Sequence, residues 1–189
     1  MIAHPKISGD FLDALVPRVK AITTGDPLSP ETGMGTLITA QEAERVRASI
    51  ARAEADGSRI LTGGERDGAS VAPAVVADVD PSSPFSQDEL FGPAVAVSTA
   101  ADWPAAIAQA NGTAYGLGAG IFTSDVSAVV RAIREIDAGN IHINWTPLWR
   151  ADLMPYGGLK SSGIGKEGPR SAVAEMTEAK TVVLHGQPW

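Results

Sequence analysis

The sequence has no cysteine. That absence excludes a disulfide scaffold, a thiol nucleophile among these residues and any zinc site built on thiolates. Histidine is scarce too: His4, His142 and His185 stand far apart and show no metal-ligand spacing. No apolar run approaches the ~20 residues that a helix needs to span a bilayer. The opening Met1-Ile2-Ala3-His4-Pro5-Lys6 has no signal-peptide core. A soluble cytoplasmic protein is the expectation. Positive charge is in deficit: 15 Lys and Arg against 22 Asp and Glu give −7, which argues against nucleic acid as a partner. The deficit is uneven. Residues 1–100 hold 14 acids and 8 bases, residues 101–189 hold 8 and 7, and Arg150, Lys160, Lys166 and Arg170 make a late basic excess.

What is present suffices for a core, since 44% of the 189 residues are apolar. Phe11, Leu15, Val19 and Ile22 fall at helical spacing, and Pro17 inside the pattern predicts a kink or a late start. Thr39 and Glu42 predict a capping box, with Ala43, Val46, Ile50 and Ala53 as the buried face and Gly57 as the stop. Strands are expected at 59–62, 74–79, 94–97, 118–122 and 140–143. Helices are expected after Asp102, after Ser124 or Asp125 with Val126, Val129, Val130 and Ile133 on one face, and over 167–178. Lys180 to His185 reads as a last strand. This alternation predicts an α/β fold with a mainly parallel sheet flanked by helices. Ile2-Ala3-His4 reads as the end of a strand.

Two stretches carry chemistry. In Gln87-Asp88-Glu89-Leu90-Phe91-Gly92-Pro93, two acids and a ring precede a backbone break and an apolar strand. A carboxylate accepts hydrogen bonds from two neighbouring hydroxyls, and a phenyl face stacks on a flat heterocycle. Glu89 and Phe91 therefore suit the ribose and ring of a nucleotide. The same residues also suit a loop of two solvated acids and one core Phe. The second stretch runs from Asn144 to Gly165. Trp145, Trp149, Arg150, Met154 and Tyr156 share a glycine-rich loop beyond the end of a strand, where open α/β sheets place their sites. A small-molecule pocket and a subunit interface both fit it. Gly163-Ile164-Gly165-Lys166-Glu167-Gly168 matches G-x-G-x-x-G, but no strand directly precedes it, so it reads as a false positive. His142 reads as a hydrogen-bonded core residue rather than a base.

The order of several short stretches goes further. Gly25-Asp26-Pro27 and Gly35-Thr36-Leu37-Ile38 come first, then Asp88-Glu89-Leu90-Phe91-Gly92-Pro93. Ala110-Asn111, Tyr115-Gly116-Leu117, Ala138-Gly139-Asn140-Ile141 and Asn144 follow. Pro155-Tyr156-Gly157-Gly158-Leu159-Lys160-Ser161-Ser162-Gly163-Ile164-Gly165 and Met176-Thr177-Glu178-Ala179-Lys180 complete the series. Over nearly its whole length the chain resembles the C-terminal part of the aldehyde dehydrogenase superfamily.

The resemblance implies a partial catalytic domain over 1–178 and an oligomerisation strand over 179–189. It implies NAD or NADP as cofactor, with Glu89 on the nicotinamide ribose and Phe91 against the nicotinamide. Asp88 stands where many members have a second Glu. Tyr156 matches the aromatic of the substrate pocket, and Trp145 and Trp149 lie in the loop that shapes the aldehyde channel. The implied partners are a small aldehyde and either a second copy or a missing N-terminal half. In the family a cysteine attacks the aldehyde, hydride leaves to NAD(P), and water activated by a glutamate hydrolyses the thioester. That cysteine, that glutamate and the nucleotide domain precede the part seen here. The chain is thus expected to be inactive alone; the alternative is a binding or oligomerisation module that kept the fold. Arg150 suits an acidic group on the aldehyde, held by paired N–H donors. A salt bridge to Asp152 or a nearby helix end is the more ordinary fate of such an arginine.

Overall fold

The β-branched run at residues 74–77 becomes the centre of a sheet. In the computed structural model, which describes residues 1–186, the chain divides into two units, Met1–Thr113 and Ala114–Trp189. The first contains β1 (Ile2–Ala3), α1 (Pro5–Lys20), α2 (Ala40–Ala55), β2 (Arg59–Thr62), β3 (Arg66–Asp67), β4 (Ser70–Val71), β5 (Ala74–Ala77), α3 (Pro84–Gln87), β6 (Ala94–Thr99) and α4 (Trp103–Asn111). Its sheet has the order β1-β6-β5-β2. β1 and β5 run parallel to β6, and β2 closes the edge antiparallel to β5. All four residues of β5 are buried. A strand covered on both faces reads as an unbroken apolar run, which is how Ala74-Val75-Val76-Ala77 reads.

Helix α2 supplies the other half of this core. Ala43, Val46, Ile50 and Ala53 are buried, as their spacing predicts, and pack with Val71, Ala74, Val76 and Val79. The cap is half the expected box. Thr39 Oγ1 accepts from the Glu42 N–H at 3.1 Å, but the Glu42 carboxylate turns to the Arg45 guanidinium at 2.8 Å. A charge-assisted bond to a neighbour one turn on outcompetes the neutral N–H at the cap. Helix α1 departs from its prediction. It begins at Pro5, with the His4 ring accepting from the Lys6 N–H at 3.2 Å. Proline opens a helix at little loss, because its missing N–H is unpaired there anyway. Pro17 stays within the helix rather than starting it. No residue of α1 is buried, so its polar first turns left no periodic signal.

The second unit contains β7 (Tyr115–Gly116), β8 (Gly118–Ile121), α5 (Val126–Glu135), β9 (Asn140–Ile143), β10 (Leu159–Lys160) and α6 (Pro169–Met176). β8 and β9 pair in parallel, with α5 between them in sequence, and β10 pairs antiparallel with β7. Asp125 caps α5, its carboxylate accepting from the Ser127 N–H at 2.8 Å. The stripe on α5 is open. Val126, Val130 and Ile133 are 75%, 42% and 59% exposed, and only Ala132 of that helix is buried. The strand expected at Lys180–His185 is not formed: residues 177–186 carry no regular structure. An extended segment becomes a strand only when its N–H and C=O groups find a ladder, and none of the described strands pairs with it. Residues 187–189 of the oligomerisation strand expected over 179–189 lie outside the described ones. Among the described residues no helix is long and apolar enough to cross a membrane.

Ile50→Ala is expected to lower unfolding stability by about 2–5 kcal/mol, and Thr39→Ala by about 1 kcal/mol. Urea denaturation of the two variants measures both, and equal effects would mean that α2 is not packed as described.

Candidate functional site

The loop that carries Glu89 and Phe91 is fixed from both ends. Upstream, the Ser82 N–H and hydroxyl both donate to the Asp80 carboxylate at 2.8 Å. Those two bonds, the backbone one foremost, hold that carboxyl below the usual carboxylate range. The short helix α3 follows, and the Gln87 amide reaches back to the Pro81 carbonyl at 2.5 Å. Downstream, Arg45 of α2 donates to the Leu90 carbonyl at 2.6 Å, and Leu90 packs against the core. Gly92 then lies directly on α2. A Cβ there would stand 2.5 and 2.9 Å from the two methyls of Val46, so only glycine lets the chain pass. Sequence reasoning missed Arg45 and this role of Val46. The helical period marks which residues face inward and is silent on what a polar neighbour holds.

Between these anchors the backbone turns the wrong way for a bulky residue. Phe91 has φ 50, in the left-handed region, and its ring is 81% exposed. Such a conformation costs about 1–2 kcal/mol for a residue with a Cβ, and no burial of the ring offsets it. The alternative reading of Phe91 as a core residue is therefore overturned within the described residues. Glu89 is exposed, and its carboxylate makes no hydrogen bond or ion pair among the described residues. A cleft of about 190 Å³ opens beside it, walled by Arg45, Arg52, Asp56, Phe85 and Asp88.

The second stretch is also shaped by its backbone. Asn144 follows β9 with φ 55, its N–H donating to the Ile121 carbonyl at 2.6 Å and its side-chain oxygen accepting from the Thr123 N–H at 2.8 Å. The chain then crosses β8 closely. A Cβ on Gly120 would lie 2.7 Å from the Trp145 carbonyl and 2.9 Å from the Pro147 ring. Trp145 and Trp149 are left half exposed, at 57% and 50%. Trp149 meets His142 edge to face, centroids 6.2 Å apart. His142 Nε2 is buried with no hydrogen-bond partner among the described residues, so the expectation of a bonded core histidine is corrected at that atom. The ring packs on an indole, which offers no acceptor in its plane. Tyr156 is half-buried and pinned by a backbone pair, donating to the Glu167 carbonyl at 3.2 Å and accepting from the Glu167 N–H at 2.5 Å. The Arg150 guanidinium lies over its ring.

Glu89 and Phe91 thus share one loop of the first unit, and Trp149, Arg150 and Tyr156 share one loop of the second. The G-x-G-x-x-G match falls between β10 and α6. Only a two-residue antiparallel strand precedes it, not the parallel strand of a phosphate-binding turn. Its Lys166 instead ties the loop, donating from Nζ to the Gly157 carbonyl at 3.3 Å and from N to the Glu175 carboxylate at 3.2 Å. Among the described residues no cluster of His, Asp and Glu could hold a metal ion.

A model of the aldehyde dehydrogenase family matches residues 1–182, and the chain belongs to that family. It is 38% identical over 182 residues to a 3-sulfolactaldehyde dehydrogenase of Priestia aryabhattai, covering 96% of this chain and 38% of that protein. It is 41% identical over 177 residues to a betaine aldehyde dehydrogenase of Cereibacter sphaeroides, covering 92% and 36%. The glyceraldehyde-3-phosphate dehydrogenase GapN of Methanocaldococcus jannaschii, solved with NADP, superposes with TM-score 0.92 at 33% identity, covering 96% and 39%. The chain therefore spans under two fifths of the length of these relatives, and the fold is that of the matching portion.

Phe91→Gly is expected to leave stability unchanged or raise it by up to about 1 kcal/mol, the left-handed strain of a Cβ residue being partly offset by glycine's entropy. Gly92→Ala is expected to lower it by about 1–3 kcal/mol through overpacking on Val46. Thermal melts of both variants check the pair. A loss of several kcal/mol in Phe91→Gly would mean that the ring is a core residue after all.

Proposed function

We propose that the chain is the part of an NAD(P)-dependent aldehyde dehydrogenase that holds the reactive end of the cofactor and walls the aldehyde channel. The observation that carries this is the pinned loop, which keeps a strained backbone, a bare ring and an unpartnered carboxylate. Strain of this kind persists where surrounding structure over-determines it, and it gathers at functional sites. The residues fit the cofactor. The Glu89 carboxylate has acceptor capacity for both ribose hydroxyls, and the open face of Phe91 suits a nicotinamide ring. The cleft beside Glu89, about 190 Å³, is smaller than the roughly 300 Å³ of small-molecule pockets and does not take a dinucleotide by itself. When bound, the nicotinamide accepts the hydride. The protein's share is to orient that ring through Glu89 and Phe91, and to keep the aldehyde among Trp145, Trp149 and Tyr156. No thiol exists in this sequence, so in the proposed enzyme the nucleophile would come from residues outside it.

A second reading is favoured by the open stripe of α5 and the unpaired residues 177–186: an oligomerisation or binding module without its own chemistry. Uncovered apolar surface drives association, and residues 177–186 suit an added strand on a neighbouring sheet. The two readings separate by assay. The isolated chain is expected to form no NADH or NADPH with any aldehyde, and addition of the family's nucleotide-binding, cysteine-bearing portion is expected to restore turnover. In that reconstituted enzyme Glu89→Gln is expected to raise KM for the cofactor roughly tenfold or more, as loss of hydrogen bonds to a charged group does. Restored turnover with an unchanged KM in Glu89→Gln would remove Glu89 from the site, and failure to restore turnover would favour the module.

A further inference from the structure

The aromatic loop of the second unit rests on a histidine. His142 lies on β9 and pairs in register with Gly120 of β8, so the two positions share one face of the strand pair. The loop crosses that face at Gly120, where only a hydrogen leaves room for the Trp145 carbonyl and the Pro147 ring. It then tightens: the Leu148 N–H donates to the Thr146 hydroxyl at 3.3 Å, and the Trp149 N–H to the Thr146 carbonyl at 3.4 Å. That turn brings Trp149 back onto His142, edge to face, with centroids 6.2 Å apart and planes at 75°. The pair is the one ring-on-ring contact among the described residues. His142 Nε2 is buried and meets no donor or acceptor among them. The imidazole therefore acts here through its ring, not through a hydrogen bond at that atom. The indole it backs is half exposed.

We infer that His142 is a positioning residue for the aldehyde channel: its ring backs Trp149 and holds the indole as a fixed wall against the apolar part of the substrate. The inference rests on the dehydrogenase function proposed above, in which Trp149 faces the aldehyde. An edge-to-face pair has a preferred geometry, because the positive edge of one ring meets the negative face of the other. An indole on a loop without such a backing distributes over several rotamers. Apparent affinity for a ligand that needs one of them then falls in proportion to its population. Glu89 and Phe91 stand on a loop of the first unit, so contacts to the cofactor do not pass through this pair.

The contact is tested on the 189-residue chain itself. With ring-labelled histidine, one of the three histidines is expected to show NOEs to indole protons that vanish in Trp149→Phe. Absence of those NOEs overturns the inference, and this arm leaves His142 untouched. The role is tested in the reconstituted enzyme with butanal. His142→Asn keeps a polar side chain and loses the ring. It is expected to raise KM for butanal roughly two- to tenfold, the range an aromatic pair supplies, with kcat and the cofactor KM unchanged. His142→Phe keeps a ring and loses both nitrogens, and is expected to restore the butanal KM. The double variant Trp149→Ala, His142→Asn is expected to be no worse than Trp149→Ala alone, because one residue acts through the other. An unchanged butanal KM in His142→Asn, His142→Phe as impaired as His142→Asn, a cofactor KM that rises alongside, or additive effects in the double variant each overturn the inference while leaving the dehydrogenase intact. Absence of turnover with every aldehyde in the unmutated reconstituted enzyme overturns both.

Discussion

The seating of Gly92 on Val46 is the contact on which the first unit's site depends. Val46 belongs to the face of α2 that covers β5, so it is fixed by the core rather than by the loop. With a hydrogen in place of a side chain, the loop can rest on the helix and enter β6 at once. Arg45, one residue earlier on α2, binds the Leu90 carbonyl and sets the other end of the same short span. Phe91 is left between two fixed points, and its backbone takes the only route available. The core thus dictates a surface conformation, and the surface conformation dictates where the ring stands.

The second unit solves a similar problem differently. Its aromatic loop crosses a strand that carries glycine where the crossing occurs, and it returns through a backbone pair between Tyr156 and Glu167. Polar fixings here are mostly main-chain, so side chains such as Arg150 and Trp145 remain available. The open stripe of α5 belongs to the same unit and contrasts with α2. Both helices carry a clear apolar face, yet only that of α2 is covered within the described residues.

Much of this was legible in the sequence. The buried face of α2 follows from its period, the capping by Thr39 and Asp125 from side-chain chemistry, and β5 from its unbroken apolar run. Glu89, Phe91, Tyr156 and the two indoles are grouped only by the order of motifs, since each stretch taken alone admits a bland alternative. Three things were not legible. The early start of α1 lies in polar turns that carry no period. The left-handed Phe91 is imposed by Val46, 45 positions away, which no local pattern encodes. The last strand is not paired within the described residues, because ladder partners, not propensity, make a strand.

The tension at Phe91 has a consequence for recognition. A ring already standing in an uncommon backbone state surrenders little further chain freedom when a flat ligand arrives, so the surface is preorganised and the entropic toll of association is small. The toll was met during folding, by the interior. In the proposed dehydrogenase, affinity for a cofactor at this spot would be tied to the integrity of a hydrophobic layer that no ligand touches.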